Sequence, residues 1–510
     1  MVKQEDWFKI KKYPHIGNPI VIKDYNRVKS YVNNSQKISK HSFLPFIHKT
    51  ILKRKFRADK NHPKKNPSGK RCRVRNKPKD RNIFFASHLD AMIFSKYNTV
   101  IAKAYEDYIE TKPYNESIVA YRKIPIIKGE NGNRCNIDFA KSAFEFIKAN
   151  QDKELSVIVA DITSFFDNLD HKILKKNWAR VLLDTSLPPD HYNLFKALTR
   201  IKYVESQHLF DANNHRMIVK RGVPNSSSLK EYVPKRINKQ KYFKEKDAVA
   251  YCCKEEFLKN NLNLIVSKNN KTGIPQGSPI SATLANIYML DFDEIIFTNI
   301  SCKGGFYQRY SDDLIIVLER KYEDNFIKLL QSTISGNSVK LTIESKKTKL
   351  YHFQRNNEIL QCLHVSESTE ETNSIRALEY LGFSFDGQRV LIKNAGFSKF
   401  YRSMKGSFNR ASSYALHSKN PDKSLFKSRL YERFTHKGAK RKLIHHPSAH
   451  DSKVYYETKK YNWGNYLSYV YKANDSMKMF NGSNAIKKQS RKLWRKFHSL
   501  MKLHEKRLGS

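Results

Sequence analysis

The stretch that most constrains the fold runs from Phe306 to Val317, where two adjacent aspartates, Asp312 and Asp313, separate two apolar runs that favour β-strands. The pattern predicts a hairpin with both carboxylates at its turn. Side chains alternate along a strand, so adjacent acids project in different directions. A buried carboxylate pair is costly unless a cation offsets the repulsion. Since Asp is common in turns, the hairpin alone is as compatible with an exposed acidic turn as with a metal site.

The charge of the chain indicates its partner. Its 510 residues include 95 Lys and Arg against 48 Asp and Glu, a formal net charge of +47. This excess predicts a polyanion, and an anionic membrane surface is a weaker alternative because no run approaches the roughly 18 apolar residues of a spanning helix. The amino terminus lacks an apolar signal core, and the six cysteines lack paired metal spacing. We therefore expect a cytoplasmic protein with reduced thiols and no membrane partner.

A second acid follows the best buried-strand pattern in the chain, the apolar run Leu155–Asp161. An aspartate there is more often an ordinary strand terminator, but a metal site built from two strands would require one. Two strand-borne carboxylate sites separated by a crossover helix can meet in an antiparallel sheet of ferredoxin-like order. That arrangement would make Asp161 and Asp312 shared ligands of two hard divalent ions, for which Mg²⁺ is suited.

Basic strands are predicted at Lys79–Phe85 and Ser117–Lys123, on either side of a helix from Leu89 to Ile109. Their arginines, Arg81 and Arg122, could hold a triphosphate because a guanidinium donates bidentately to phosphate oxygens. Taken singly, each arginine is more often an ordinary surface residue.

A Gly- and Pro-rich segment, residues 272–281, precedes a helix predicted over Ala282–Phe297. Such an entry can approach a nucleotide or template backbone closely and offer amide donors, and it lacks the Gly-Lys-Ser/Thr ending of a P-loop. Further strands are predicted at Leu341–Leu350 and Leu378–Phe385, the latter followed by an Asp386-Gly387 turn.

From about residue 395 the pattern is helical, with basic residues interleaved with aromatics. This composition suits phosphate contact combined with base stacking, and it equally suits a basic bundle that packs its aromatics internally. Metal binding by His445, His446 and His450 is disfavoured because no acid or Cys lies at ligand spacing.

The ordered set of motifs resembles the reverse transcriptase family over roughly Lys79 to Phe385. Tyr310-Ser311-Asp312-Asp313 is similar to the family's Tyr-X-Asp-Asp signature. Asp161 to Asp167 is similar to its first aspartate motif, and Gly273 to Pro279 resembles its nucleotide- and template-positioning loop.

The resemblance implies a role for each matching residue. An aromatic Phe166 would clash with a ribose 2′-hydroxyl and so favour deoxynucleotides. The residues fall into four groups: catalytic, Asp161, Asp312, Asp313 and Lys347; metal-binding, Asp161, Ile162, Asp312 and Asp313; nucleotide-binding, Lys79, Arg81, Arg122, Phe166, Gln276 and Gly277; and primer grip, Tyr380, Leu381, Gly382 and Phe383.

The fold implied is an α+β right-hand polymerase. Its expected parts are an amino-terminal extension (1–60), fingers (61–150), a ferredoxin-like palm (151–394) and an all-α basic thumb-like nucleic-acid-binding domain (395–510). A polar, mostly helical insertion is expected at about 172–272.

The activity implied is RNA-templated DNA synthesis from dNTPs with two Mg²⁺ ions, or Mn²⁺ in their place. Three segments resemble bacterial unknown-group, phage-defence-associated reverse transcriptases: His41 to Phe46, Ala120 to Lys123, and Leu187 to Tyr192. They imply antiviral defence with a dedicated structured non-coding RNA, and a homo-oligomer is compatible with them.

Two other functions stay open. One is template-independent or repetitive DNA synthesis primed on a protein hydroxyl, for which 28 tyrosines offer no choice of residue. The other is a polymerase-shaped RNA-binding sensor without turnover. The acids, the Gly-rich loop and Lys347 argue against the sensor, because paired carboxylates near phosphates repel the ligand without a metal.

Overall fold

The computed structural model describes residues 7–53, 56–58, 72–75, 79–127, 132–222, 230–344, 348–365, 374–418, 424–440, 442–447, 455–462, 464–482 and 484–509. The chain divides into two compact units that alternate in sequence. The first comprises Met1–Tyr121, Ile162–Phe297 and Lys328–Glu344, and the second comprises Arg122–Asp161, Thr298–Ile327 and Ser345–Ser510. Every helix in the described part of the chain is too short or too polar to span a bilayer.

The strands, in chain order, are β1 (His15–Ile16), β2 (Phe46–Lys53), β3 (Phe56–Ala58), β4 (Arg73–Arg75), β5 (Lys79–Phe85), β6 (Leu155–Asp161), β7 (Ile201–Glu205), β8 (Met217–Gly222), β9 (Lys230–Lys235), β10 (Ala248–Cys252), β11 (Val266–Lys268), β12 (Phe306–Tyr310), β13 (Asp313–Glu319), β14 (Lys349–Asn356), β15 (Ile359–Val365), β16 (Ser374–Ile375), β17 (Leu378–Tyr380), β18 (Phe383–Phe385), β19 (Val390–Ile392), β20 (Lys442–Pro447) and β21 (Tyr455–Asn462).

The α-helices are α1 (Tyr25–Val32), α2 (Ser35–Ser39), α3 (His88–Glu110), α4 (Asn136–Ala149), α5 (Phe165–Asn168), α6 (His171–Val181), α7 (Pro189–Thr199), α8 (Ser206–Asn213), α9 (Lys254–Asn260), α10 (Ser281–Tyr288), α11 (Leu290–Ser301), α12 (Glu323–Ser335), α13 (Asn394–Leu416), α14 (Lys427–Phe434), α15 (Tyr466–Ser476), α16 (Lys478–Asn481) and α17 (Ala485–Leu508).

The second unit is built on a six-stranded sheet with the order β12-β13-β6-β14-β15-β16. Its strand pairs are antiparallel. The first four strands occur in the chain as β6, β12, β13 and β14, with α11 before β12 and α12 before β14, which is the ferredoxin-like order. The expected α+β class and ferredoxin-like sheet are therefore confirmed, as is the buried strand Leu155–Asp161.

One face of this sheet is covered by α4 within a single core cluster. Ile137, Ala140, Phe144 and Ile147 recur at helical spacing and are fully buried, so α4 presents one apolar stripe to the core. The same cluster continues into α13, α14, α15 and α17. The apolar residues of these segments recur at helical spacing because each helix buries one of its faces in the core.

Two of the predicted strands are wrong. The segment Ser117–Lys123 begins at the last residue of a 3-10 helix, Asn115–Ser117, and continues as an isolated bridge residue, a turn and a bend. Tyr121 has a φ of 63°, and the Ala120 carbonyl accepts a hydrogen bond from the Asn286 side chain instead of from a strand. In place of Leu341–Leu350, the strand is β14, which begins at Lys349. In the earlier segment Ile343 makes an isolated bridge only.

The insertion expected to be mostly helical contains β-structure. Its strands β8, β9 and β10 form a sheet with β1, and β7 and β11 join β2 and β5 in another. Met217 and Phe257 contribute to a separate core cluster there. The single helix predicted over Ala282–Phe297 is two helices, α10 and α11, separated at Met289.

The carboxyl-terminal region contains a two-stranded sheet, β20-β21, so the prediction of an all-α domain is wrong in this respect. This region buries some aromatic side chains, among them Phe408 and Phe497, and exposes others, among them Tyr414 and Phe426. Internal packing therefore accounts for part of the aromatic content and leaves part available for a ligand.

Candidate active site

The predicted aspartate hairpin is present, with a two-residue turn. Tyr310 pairs with Asp313 across the hairpin, which leaves Ser311 and Asp312 as the loop. Of the two loop residues, Ser311 has a positive φ of 62° and Asp312 does not have a positive φ. This pattern is typical of a type II′ turn, whose twist matches that of the flanking strands.

A buried arginine holds this turn. Arg309 is fully buried, and its guanidinium Nη1 donates a hydrogen bond of 3.1 Å to the Ser311 carbonyl oxygen. The contact fixes the backbone one residue before Asp312. Sequence reasoning did not assign Arg309 a role, although two polar residues, Gln308 and Arg309, inside a strand of buried side chains are a signal that could have identified it.

The strand register brings two of the predicted catalytic acids together. Asp161, the last residue of β6, is the direct partner of Asp313, the first residue of β13. Directly opposed residues of an antiparallel pair project from the same face, with Cα atoms about 4.5–5.5 Å apart. The predicted pair was Asp161 and Asp312, and Asp312 lies in the adjoining loop.

The donor set of these three residues suits a hard divalent cation, because it consists of carboxylate oxygens alone. The two opposed carboxylates repel one another, and a cation near both would relieve that repulsion. Among the described residues no group of three or more His, Cys, Asp or Glu side chains is arranged as a complete metal site. Mg²⁺ does not require one, since it commonly binds through one or two carboxylates, waters and substrate phosphates.

The residues predicted to grip the primer form a second hairpin. Leu381 and Gly382 are the turn between β17 and β18, both with positive φ, so Leu378–Phe385 is two strands and not one. The Asn136 side chain donates to the Leu381 carbonyl at 3.1 Å. The predicted turn at Asp386-Gly387 is present, since β18 pairs with β19 across it.

Tyr380 connects this second hairpin to the aspartate hairpin. Its hydroxyl donates to Gln308 Oε1 at 3.1 Å, and both side chains are buried. Burial, and then the nearby Asp313 and Tyr310, raise the pKa of Tyr380 well above its ordinary value. The phenol therefore stays protonated and can act as a donor throughout the physiological pH range.

An ion-pair cluster is centred on Glu379, which lies in β17 of the second hairpin. Glu379 accepts hydrogen bonds from Lys349 at 2.8 Å, and Lys393 lies 3.1 Å from the same carboxylate. Burial raises the pKa of Glu379, but the bonds from the two lysines outweigh it and hold the pKa below its ordinary value. Sequence reasoning missed this cluster because its members are far apart in the chain.

The predicted nucleotide-binding loop is held by backbone contacts within the first unit. The Ile274 amide donates to the Phe166 carbonyl at 2.9 Å, and the Gln276 carbonyl accepts from the Phe84 amide at 2.9 Å. The loop thereby lies beside Phe166 and beside β5, the strand that carries an exposed Arg81. Gly277 has a φ of 114°, a conformation open to glycine.

Two further predicted residues lie outside the named strands and helices: Arg122, and Ile162, which directly follows Asp161. Arg122 lies in a bend of the second unit, and Ile162 is buried and bridges Ile343. The side chain of Lys79, together with Lys347, lies outside the described residues, as do the side chain of His446 and residue His450.

One family model matches part of this chain. Residues 233–385 match the family model described as reverse transcriptase (RNA-dependent DNA polymerase). No curated protein sequence matches the chain.

The comparison with solved structures finds telomerases at low TM-scores. One is apo telomerase from Candida tropicalis truncated from its C-terminal domain, with 11% identity and a TM-score of 0.36 over 73% of this chain and 60% of that one. Another is telomerase from Candida albicans in complex with a TWJ fragment of telomeric RNA, with 12% identity and a TM-score of 0.35 over 78% of this chain and 57% of that one. The chain thus spans less than two thirds of the length of each.

The family match is confined to one part of the chain. The chain carries a reverse transcriptase domain, matched over residues 233–385. That range includes the Gly-rich loop, the aspartate hairpin and the second hairpin, and it leaves out Asp161, which the sheet register places opposite Asp313.

Proposed function

We propose that this chain is an RNA-directed DNA polymerase that joins deoxynucleotides by two-metal nucleotidyl transfer. The observation that carries the proposal is the register of Asp161 with Asp313, beside the loop residue Asp312, in a sheet of ferredoxin-like order. A reverse transcriptase domain that includes two of these three acids supports the same conclusion.

In this proposal the three carboxylates hold the ions, and Ile162 could add only its backbone carbonyl because its side chain is apolar and buried. Two bound Mg²⁺ ions, or Mn²⁺ in their place, would activate the primer 3′-hydroxyl and neutralise the pyrophosphate leaving group. Arg309 and Tyr380 keep the acidic turn in one geometry through Ser311 and Gln308.

The other roles are proposed on the family pattern. Phe166 excludes a ribose 2′-hydroxyl, Lys347 assists the leaving group, and two further groups bind the substrates: the triphosphate and base are held by Lys79, Arg81, Arg122, Gln276 and Gly277, and the primer by Tyr380, Leu381, Gly382 and Phe383. We propose residues 61–150 as fingers, 151–394 as palm and 395–510 as a thumb-like domain.

The test is primer extension on an RNA template with a DNA primer, dNTPs and Mg²⁺. Loss of several kcal/mol of charge stabilisation corresponds to a rate reduction of about 10³-fold or more, which we expect for Asp161→Asn, Asp312→Asn and Asp313→Asn. RNA binding, measured by fluorescence anisotropy without dNTPs, should be retained. Asp475→Asn is the matched control, because Asp475 is exposed and pairs with Lys478 on the surface.

Full synthesis by an Asp312→Asn/Asp313→Asn double variant would refute the metal assignment. Synthesis that persists without template, with product whose mobility changes after protease digestion, would favour protein-primed, template-independent synthesis. RNA binding by the wild type without incorporation of any nucleotide would favour the sensor.

We further propose that the template is a dedicated structured non-coding RNA and that the protein acts in antiviral defence in the cytoplasm. The support is the resemblance of His41 to Phe46, Ala120 to Lys123, and Leu187 to Tyr192 to phage-defence-associated reverse transcriptases. Sequencing of copurified RNA and DNA tests this. A single structured RNA with complementary DNA is the expected result, whereas random cellular RNA without DNA would contradict it. Size measurement of the purified complex would detect a homo-oligomer.

A further inference from the structure

A groove between α13 and α14 combines arginines with exposed aromatic rings. We define it by the residues that line a cavity of about 660 Å³: Ser407, Arg410, Ala411, Tyr414, Phe426, Arg429, Leu430 and Arg433. The volume lies within the range of small-molecule and nucleotide-sized pockets.

The groove has one arginine on α13 and two on α14. Arg410 and Tyr414 are four residues apart on α13, and Arg429 and Arg433 are four residues apart on α14, so each pair shares one helix face. The two helices therefore present cations from both sides of the groove.

These cations are available to an external anion. Within the described residues none of Arg410, Arg429 and Arg433 is paired with a carboxylate, and the residues lining the groove include no acid. Arg410 donates to the Ser407 hydroxyl, and the Arg433 guanidinium lies over the Phe434 ring at 5.3 Å. Guanidinium groups in such positions suit phosphate, because their donors form a planar fork.

The two aromatic rings are exposed to an unusual degree. Tyr414 is 70% exposed and Phe426 is 71% exposed, whereas Phe400, Phe408 and Phe434 of α13 and α14 are buried. Neither ring packs against another aromatic side chain in the described part of the chain. An exposed ring without an aromatic neighbour, beside unpaired arginines, is the combination by which proteins bind unpaired bases and their phosphates.

We propose that this groove binds a single-stranded segment of RNA, with bases stacked on Tyr414 and Phe426 and phosphates held by the three arginines. A duplex does not expose the faces of its bases, so the rings select an unpaired strand. The choice of RNA over DNA rests on the proposed function, in which the strand that reaches the protein unpaired is the RNA template.

The test measures binding of a fluorescein-labelled, unstructured RNA 20-mer to the full chain without dNTPs. Stacking on one ring is worth a 5- to 150-fold change in affinity, which we expect for Tyr414→Leu and for Phe426→Leu. Tyr414→Phe keeps the ring and should bind as the wild type does. The affinity of the two leucine variants for a duplex of the same sequence should differ from that of the wild type by less than twofold.

The arginines are tested by salt dependence. An Arg410→Gln/Arg429→Gln/Arg433→Gln variant should lower the slope of log affinity against log salt by about 2, since each phosphate contact to a single strand contributes about 0.7. The control removes three exposed cations of α13 that do not line the groove, by Lys399→Gln/Arg402→Gln/Lys405→Gln. Equal losses in the two triple variants would overturn the proposal in favour of diffuse charge.

Two further binding measurements distinguish RNA from single-stranded DNA and from an anionic membrane surface. Ring variants that lose affinity for the single-stranded DNA 20-mer but keep affinity for the RNA would overturn the assignment to RNA. Arginine variants that lose binding to anionic phosphatidylserine vesicles with unchanged RNA binding would overturn it in favour of a membrane surface. Because no dNTP is present, absent polymerase activity and absent groove binding are separate results.

Discussion

The hydrogen bond from Tyr380 to Gln308 makes a testable link between the two hairpins. Tyr380→Phe keeps the ring and removes only the hydroxyl, which donates over 3.1 Å between two buried side chains. A buried acceptor that loses its donor costs about 1–3 kcal/mol. We therefore expect the free energy of unfolding to fall by that amount.

The same variant should slow the reaction. Gln308 is the register partner of Ile315, which lies two residues from Asp313 on the same strand face, so a shifted Gln308 moves the acidic turn. If about 1.4 kcal/mol of that positioning is lost, kcat falls about tenfold. The KM for dNTP should stay within twofold, because the hydroxyl is assigned to the protein interior and not to the nucleotide.

The assays are urea denaturation followed by tryptophan fluorescence and single-nucleotide incorporation at saturating primer-template. Tyr401→Phe is the matched control, because it preserves the ring over which Lys496 Nζ lies at 4.4 Å. A variant with lowered stability and unchanged kcat would refute the positioning role. A Tyr380→Phe variant with unchanged stability would refute the cost assigned to the buried hydrogen bond.

Two other predictions concern the first unit. Gly277→Ala should lower the free energy of unfolding by about 1–3 kcal/mol, because the φ of Gly277 is 114° and a Cβ there would lie 3.0 Å from the Phe84 carbonyl oxygen. Gly17→Ala is the control and should cost less, since Gly17 also has a positive φ but has open space around it. Equal denaturation midpoints for the two variants would contradict this prediction. Burial lowers the pKa of His15 to about 4, and its ring bonds the Phe85 carbonyl at 3.0 Å. The pKa of His15 in the folded protein lies below its unfolded value of about 6.5, so the neutral ring stabilises the folded state fully above pH 6.5. About 3 kcal/mol of the free energy of unfolding is lost as the pH falls towards 4. Denaturation measured at several pH values should show this loss in the wild type and not in His15→Gln.

Elements set by local pattern were predictable from the sequence. The continuous apolar run Leu155–Asp161, the helix His88–Glu110 and the aspartate hairpin all follow from periodicity or from a turn between β-prone runs. The predicted strand Ser117–Lys123 failed because local pattern does not reveal a distant partner such as Asn286, which takes the Ala120 carbonyl.

The candidate site divides in the same way. Asp161, Asp312 and Asp313 were recognisable singly, because an acid at the end of an apolar strand or in a hairpin turn is a local feature. The opposition of Asp161 to Asp313, the buried Arg309 under the turn and the Glu379 ion-pair cluster were not.

The sequence by itself determined which residue types the chain offers for catalysis and their order along it. Only the tertiary structure decided which of them meet. Strand register joins residues 152 positions apart, and a shift of one residue would move Asp161 to the other face of the sheet. Such pairings are selected by the packing of the whole sheet and its covering helices, which no short stretch of sequence contains.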